Sequence, residues 1–154
     1  MLTKKDVTHF KEKGYLVLPN FIDHEQISEW NDQFWNHISA NPEKPTTWPD
    51  SYVIDEFSTT PIFGHLPQME EVVTRLGGGN FSGGNGSMLV QWPKQDGHWN
   101  MPESGHIDGY GPNGWSGGFM LGATVYLEDV NNEGGAFVFW PGSHLTTHQY
   151  FLEK

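Results

Sequence analysis

Hydrophobic side chains in the first half of the chain recur with the spacing of an α-helix. The clearest series places apolar residues at i, i+3, i+7 and i+11, at Ile27, Trp30, Phe34 and Ile38. This spacing puts one apolar stripe along a helix, so the pattern predicts an amphipathic helix that runs to about Ala40. Asp23, followed three residues later by Gln26, has the pattern of a capping box at its start.

Two shorter helices are predicted on either side of this one. Residues 3–13 begin with Thr3, with Asp6 three positions later to complete a capping box, and Gly14 stands where a helix would end. Residues 67–76 begin with Pro67, which the first turn of a helix tolerates. The first 76 residues are therefore predicted to be mainly helical.

The second half of the chain changes to short apolar runs bounded by glycine and proline. Such runs predict strands, here over residues 87–92, 119–127 and 136–140. One more strand is predicted in the first half of the chain, over residues 15–18 after the first helix. Residues 41–65 are predicted to be mostly loop. The glycine-rich stretch from Gly77 to Gly86 lacks the Gly-Lys-Ser/Thr of a phosphate loop and is interpreted as a connection. Helices first and antiparallel strands after them predict one α+β domain over residues 1–154, with a rolled sheet of jelly-roll or cupin type over residues 87–144.

Charge and composition exclude several classes of partner. The chain has a formal net charge of -11 and no cysteine. Nucleic-acid binding needs clustered lysine and arginine, and none is present, so we expect neither a nucleic acid nor an anionic membrane as partner. No run of about 18 apolar residues or signal-peptide core occurs. We therefore expect a soluble, cytoplasmic protein.

The candidate chemistry lies in the stretch from Gly105 to Gly109. His106 and Asp108 stand two residues apart, and in extended backbone such residues project to the same side. An imidazole and a carboxylate held together are two thirds of the facial triad that binds Fe(II) and leaves its other side open. We interpret His106 and Asp108 as metal ligands; the alternative is a polar turn between glycines.

Three stretches together make the chain similar to the phytanoyl-CoA dioxygenase-like family of Fe(II)- and 2-oxoglutarate-dependent oxygenases. The first is Gly14-Tyr15-Leu16-Val17-Leu18-Pro19-Asn20-Phe21-Ile22 between two helices, and the second is His106-Ile107-Asp108. The third runs from Leu127-Glu128-Asp129 through Glu133-Gly134-Gly135 to Pro141-Gly142-Ser143-His144. The resemblance covers most of the chain. It implies N-terminal helices packed on a double-stranded β-helix, with His106 and Asp108 as the first two iron ligands.

The same resemblance implies two further site residues, a histidine and an arginine, that this chain lacks at the expected positions. The family has a further histidine ligand on a later strand, and about ten residues beyond it an arginine that grips 2-oxoglutarate. Lys154 precedes both, and Arg75, the sole arginine, lies upstream of the motif. We therefore expect an incomplete β-helix. We expect the chain to be a fragment, a naturally shortened protein, or a protein whose site is completed in another way. The remaining candidates for a third ligand are His98, His144 and His148; the alternatives are a loop position for His98, a backbone hydrogen bond for His144 after its sharp turn, and a solvated role for His148.

The predicted function is a dioxygenase that hydroxylates a small organic substrate, or the N-terminal part of one, with Fe(II) and 2-oxoglutarate as cofactors. Gln91 and Trp92 are candidate cofactor-binding residues, and Trp99, Tyr110 and Trp115 are candidate walls of the pocket; core packing explains these aromatic residues equally well. The alternative is a non-catalytic or metal-binding cupin-like domain that acts in assembly or binding. Exposed sheet edges predict a homo-oligomer, most simply a dimer.

Overall fold

The computed structural model describes residues 2–51, 66–79, 88–93, 98, 100–108, 110–111, 114–115 and 120–153. Four α-helices lie in these ranges: α1 (Lys4–Lys13), α2 (His24–His37), α3 (Pro67–Gly77) and α4 (Ser143–Leu152). A short 3-10 helix covers Pro45–Thr47. The strands β1 (Tyr110–Gly111) and β2 (Gly114–Trp115) pair antiparallel, with Tyr110 opposite Trp115.

Both ends of α1 are stabilised by local contacts, as the sequence predicts. The Thr3 hydroxyl accepts a hydrogen bond from the Asp6 backbone N–H, and the Asp6 carboxylate accepts one from the Thr3 backbone N–H at 2.7 Å. These two bonds satisfy donors that a helix start leaves without partners. Gly14 ends the helix at φ 80°, in the left-handed region that glycine adopts without steric cost. The predicted helix over residues 3–13 is confirmed.

A small apolar core joins α1 to α3. Its buried residues are Leu2, Val72 and Leu76. Partly buried side chains surround them, from α1, α3, the segment after α1 and the later chain: Val7, Phe10, Leu16, Leu18, Phe21, Met69 and Leu121. Helix α3 covers the region predicted from Pro67, with Pro67 in its first turn, and ends at Gly78 with φ 85°. Helices α1 and α3 therefore pack around this core.

The second helix follows the predicted stripe but is shorter than predicted. Trp30 and Phe34 are buried, and the Asp23 carboxylate accepts a hydrogen bond from the Gln26 backbone N–H at 2.8 Å. The Gln26 side chain bonds Glu29 instead of returning to Asp23. The helix stops at His37, three residues before the predicted end, and Ser39 follows with φ 55°.

The predicted jelly-roll fold is wrong for the described residues: their regular structure is helical apart from the β1–β2 ladder, which has two residues in each strand, and the remainder is irregular. The predicted strands at 15–18, 88–92, 120–127 and 136–140 have no strand assignment. A strand exists only where a neighbour takes its backbone hydrogen bonds, and within the described residues no such bond joins these segments. Several of their apolar side chains are exposed, with Val17 exposed to 71% and Phe137 to 63%, whereas Leu16, Leu18 and Leu121 pack partly buried against the core.

The chain after Trp140 turns back onto α1 and then forms a helix that the sequence did not suggest. The Gly142 backbone N–H donates to the Lys13 carbonyl at 2.7 Å, and α4 begins at the next residue. The predicted break at residues 141–144 is therefore a corner that leads into α4. None of the helices in the described ranges is long and apolar enough to cross a membrane.

Candidate functional site

His106 and Asp108 lie side by side in the irregular segment that follows residue 100. The His106 Nε2 atom is 3.0 Å from Asp108 Oδ1. Both side chains face solvent, with 86% and 73% of their surface exposed. The structure thus brings together the two residues that the sequence singled out, on an open surface and without the strand that was expected to hold them.

The distance between these two atoms is that of an ion pair or a hydrogen bond, and it is also compatible with a shared divalent ion. Nitrogen and oxygen ligands of such ions bind at about 2.1 Å, so two donors in adjacent octahedral positions stand about 3.0 Å apart. Imidazole and carboxylate are also the donor types of a non-haem Fe(II) site. Among the described residues no group of three or more His, Cys, Asp or Glu side chains is close enough to hold a metal. His106 and Asp108 therefore offer two ligands to an ion, and because both are exposed, water competes with each of them for the ion.

The backbone before His106 is packed against an aromatic ring. A Cβ atom placed on Gly105 would lie 2.9 Å from the indole of Trp140, so only glycine allows this approach. Trp140 lies just before the Pro141–His144 corner and is itself 56% exposed. The indole of Trp140 therefore packs directly against the backbone of the residue before His106.

The His144 side chain links α4 to α1. Its Nε2 atom is 2.9 Å from the carbonyl oxygen of Lys11, in the last turn of α1. A helix end leaves its last carbonyls without partners, so the imidazole satisfies one of them. Its ring also occupies the space that a Cβ on Gly14 would take. His148 lies one turn further along α4 and is exposed.

Trp92 belongs to a cluster of three indole rings, which we call the tryptophan cluster: Trp35, Trp48 and Trp92. Their ring centroids are 5.1 to 5.9 Å apart, with Trp48 and Trp92 stacked at 29°. The Trp48 Nε1–H donates to the Asn41 carbonyl at 2.9 Å. The Nε1 atoms of Trp35 and Trp92 are buried and have no hydrogen-bond partner in the described part of the chain. The cluster joins α2 to residues 88–93.

The other candidate pocket residues are only partly defined. Gln91 is exposed, and its Oε1 would be 3.2 Å from a Cβ on Gly135. His98 is exposed. Tyr110 and Trp115 are register partners in the β1–β2 ladder, and Trp99 lies outside the described residues. The backbone hydrogen bond of His144 agrees with the alternative that its sharp turn suggests. The tryptophan cluster was not predicted, because Trp35 lies next to Phe34 and off the apolar stripe of α2.

Comparison of the chain with models of protein families, with curated proteins and with solved structures finds no match. The family resemblance therefore rests on the three stretches of sequence given above. It remains a prediction, and the geometry of the His106–Asp108 pair is the structural observation that bears on it.

Proposed function

We propose that this chain is an Fe(II)- and 2-oxoglutarate-dependent dioxygenase that hydroxylates a small organic substrate in the cytoplasm, or the N-terminal part of such an enzyme. The 3.0 Å separation of His106 Nε2 and Asp108 Oδ1 carries the proposal. A donor pair at this distance suits adjacent positions on one ion, and it comes from the tripeptide that the family resemblance assigns to iron. The absence of cysteine agrees with a reducing compartment.

The two side chains have separate tasks in this proposal. His106 offers the lone pair of its imidazole to the ion. Asp108 offers a negative charge that offsets part of the charge of the ion. When bound, Fe(II) with 2-oxoglutarate supplies the oxidising chemistry of the reaction. Trp140, packed on Gly105, keeps the backbone of the pair in place.

Two ligands hold an ion less firmly than three, because each missing donor is replaced by water. The described residues supply no third donor, and His144 bonds the Lys11 carbonyl. The proposal therefore requires a further ligand from outside the described residues, from His148 after a rearrangement, or from additional polypeptide.

Anaerobic titration with Fe(II), followed by 2-oxoglutarate, tests the proposal. We expect the native chain to bind Fe(II) and to develop the weak visible band of the co-substrate complex if it supplies the third ligand itself. If additional polypeptide supplies that ligand, the band should appear only with a longer chain. His106→Ala and Asp108→Ala should each weaken Fe(II) binding at least about tenfold, which is the loss expected when metal coordination is disturbed. His24→Ala is the control, because this exposed histidine at the start of α2 lies outside the pair and is not a candidate ligand. Equal Fe(II) binding by all four proteins would refute the assignment of the site.

A second candidate function is a non-catalytic domain that acts in binding or assembly. The observation that favours it is the number of large apolar side chains left exposed in the second half of the chain, among them Met101, Met120, Phe137 and Trp140. An enzyme that works alone has little use for such a surface. Fe(II) binding through His106 and Asp108 without a band or turnover on adding 2-oxoglutarate would support this second function.

A further inference from the structure

Trp140 is a long-range contact of the segment that carries the His106–Asp108 pair. Within the described residues, no backbone–backbone hydrogen bond joins residues 100–108 to another part of the chain. The contact that reaches across is the one with Gly105, where a Cβ atom would lie 2.9 and 3.2 Å from two carbon atoms of the indole. Gly105 is not among the glycines with left-handed backbone, so close packing is what excludes a larger residue. The position of the pair therefore depends on the position of this ring.

The backbone of Trp140 is held by the turn that follows it. Pro141 has a fixed φ and also narrows the conformations open to the residue before it. The Trp140 carbonyl accepts a hydrogen bond from the Ser143 N–H at 3.0 Å, which closes the turn. Between them, the Gly142 N–H donates to the Lys13 carbonyl at 2.7 Å. The indole therefore projects from a stretch of backbone that is tied to the end of α1.

The corner at residues 142–144 is held on α1 by few contacts. Besides the bond of Gly142, the His144 Nε2 atom lies 2.9 Å from the Lys11 carbonyl oxygen, and the His144 ring packs on Gly14. Helix α4, which follows, has no buried residue. A segment with so little burial opens locally at a lower free energy than the whole fold. The corner therefore has two states, docked on α1 and released, and the backbone of Trp140 moves with it.

We propose that Trp140 is a positioning residue that couples the docking of the corner on α1 to metal binding by His106 and Asp108. The coupling rests on the metal-binding function proposed above. With the corner docked, the indole packs on Gly105 and the pair keeps its separation of 3.0 Å. With the corner released, the ring leaves Gly105 and the segment of the pair loses this support. Coupling between two events is reciprocal, so a bound ion also holds the corner against α1.

Nuclear magnetic resonance of the metal-free full chain, at one fixed pH, tests the coupling without any ion. The imidazole signal of His106 is identified by its loss in His106→Ala. Gly14→Ala places a Cβ in the space of the His144 ring and should shift this signal, whereas Gly78→Ala, with the same left-handed backbone but open space around it, should not. In a Trp140→Ala background, Gly14→Ala should no longer shift the signal. A His106 signal that does not respond to Gly14→Ala, or that responds equally without the indole, would overturn the proposal.

Titration with Zn(II), a diamagnetic ion that accepts imidazole and carboxylate ligands, tests the effect on affinity. Gly105→Ala should weaken binding at least about tenfold, which is the loss expected when a group that orients a metal ligand is disturbed. Gly122→Ala is the matched control, because its backbone is not left-handed either and a Cβ there would meet nothing within 4 Å. In a Trp140→Ala background, Gly105→Ala should cost nothing further, since the ring is gone. Equal affinities of the two glycine variants, or additive losses in the double variant, would show that the ring does not position the pair.

The two measurements separate this proposal from the proposed function. Zn(II) binding that His106→Ala does not weaken would refute the metal site, and the coupling with it. Binding that His106→Ala does weaken, together with a His106 signal that Gly14→Ala leaves in place, would refute the coupling alone. Circular dichroism that matches the native chain confirms that each variant is folded. If Gly14→Ala does not fold, His144→Ala replaces it in the metal-free measurement, because it removes the bond to the Lys11 carbonyl without a change at a glycine.

Discussion

Replacing Gly14 by alanine should disrupt the contact between α1 and α4, and Gly78 provides a matched control. Both glycines end a helix with left-handed backbone, at φ 80° and 85°. A Cβ on Gly78 would meet nothing within 4 Å, whereas a Cβ on Gly14 would enter the space of the His144 ring. The two substitutions share the backbone cost and differ in this one contact.

The backbone cost of alanine in left-handed conformation is about 1 kcal/mol, which is the full effect expected for Gly78→Ala. At Gly14 the His144 ring must also rotate away, and it then loses its hydrogen bond to the Lys11 carbonyl, which is 2.9 Å long. Such a bond contributes about 1 kcal/mol. We therefore expect Gly14→Ala to cost about 2 kcal/mol in total.

Urea denaturation monitored by circular dichroism measures these differences, provided that the slope of the transition is the same for all variants. A second comparison isolates the ring: in a His144→Ala background, Gly14→Ala should cost only what Gly78→Ala costs. Equal losses for the two glycine substitutions in the native background would show that the His144 contact does not contribute to stability. Our account of the corner at residues 142–144 would then be wrong.

Two further predictions concern the first helix and the tryptophan cluster. Hydrogen bonds from the backbone N–H and hydroxyl of Thr3 hold the pKa of Asp6 below its ordinary value of 3.8. The stability that Asp6 contributes is therefore fully present above about pH 4 and is lost as the pH falls through the lower pKa of the folded state. Asp6→Asn should flatten this acid limb of the helical circular dichroism signal, and an unchanged limb would contradict the cap. Trp92→Leu should lower the free energy of unfolding by about 1 to 3 kcal/mol and reduce the near-ultraviolet circular dichroism of the coupled indoles. Unchanged near-ultraviolet signal would mean that Trp35, Trp48 and Trp92 are not in contact.

The helices of the first half were predictable because their signals are local. The Thr3–Asp6 box, the glycine at position 14 and the Ile27-to-Ile38 stripe each act within a few residues, and the structure places helices where they predict them. Helix α4 carries no such signal: its sequence has two β-branched threonines and no apolar stripe. It starts where it does because Gly142 bonds the Lys13 carbonyl, a contact that the sequence does not reveal.

The strand predictions were wrong because a strand depends on a distant neighbour and not only on local signals. Apolar runs such as residues 136–140 have a composition suited to a strand, but a strand also needs a neighbour, and composition does not say whether one is present. In the structure Phe137 uses its N–H to bond a tyrosine side chain, where a sheet would have used a carbonyl. The His106–Asp108 pair was easier to predict, because two residues separated by one can meet in several backbone conformations. Its function as a metal site stays a prediction.

The bond between His144 and Lys11 spans 133 positions of the chain, and this has a consequence for the order of folding. Helix α1 can form as soon as it is synthesised, because its cap is local, but its last turn waits for a residue made more than a hundred positions later. Closing so long a loop costs chain entropy and slows the step that requires it. We therefore expect a newly made chain to hold a frayed α1 until residues 142–144 arrive, and the docking of this corner to be among the last events of folding.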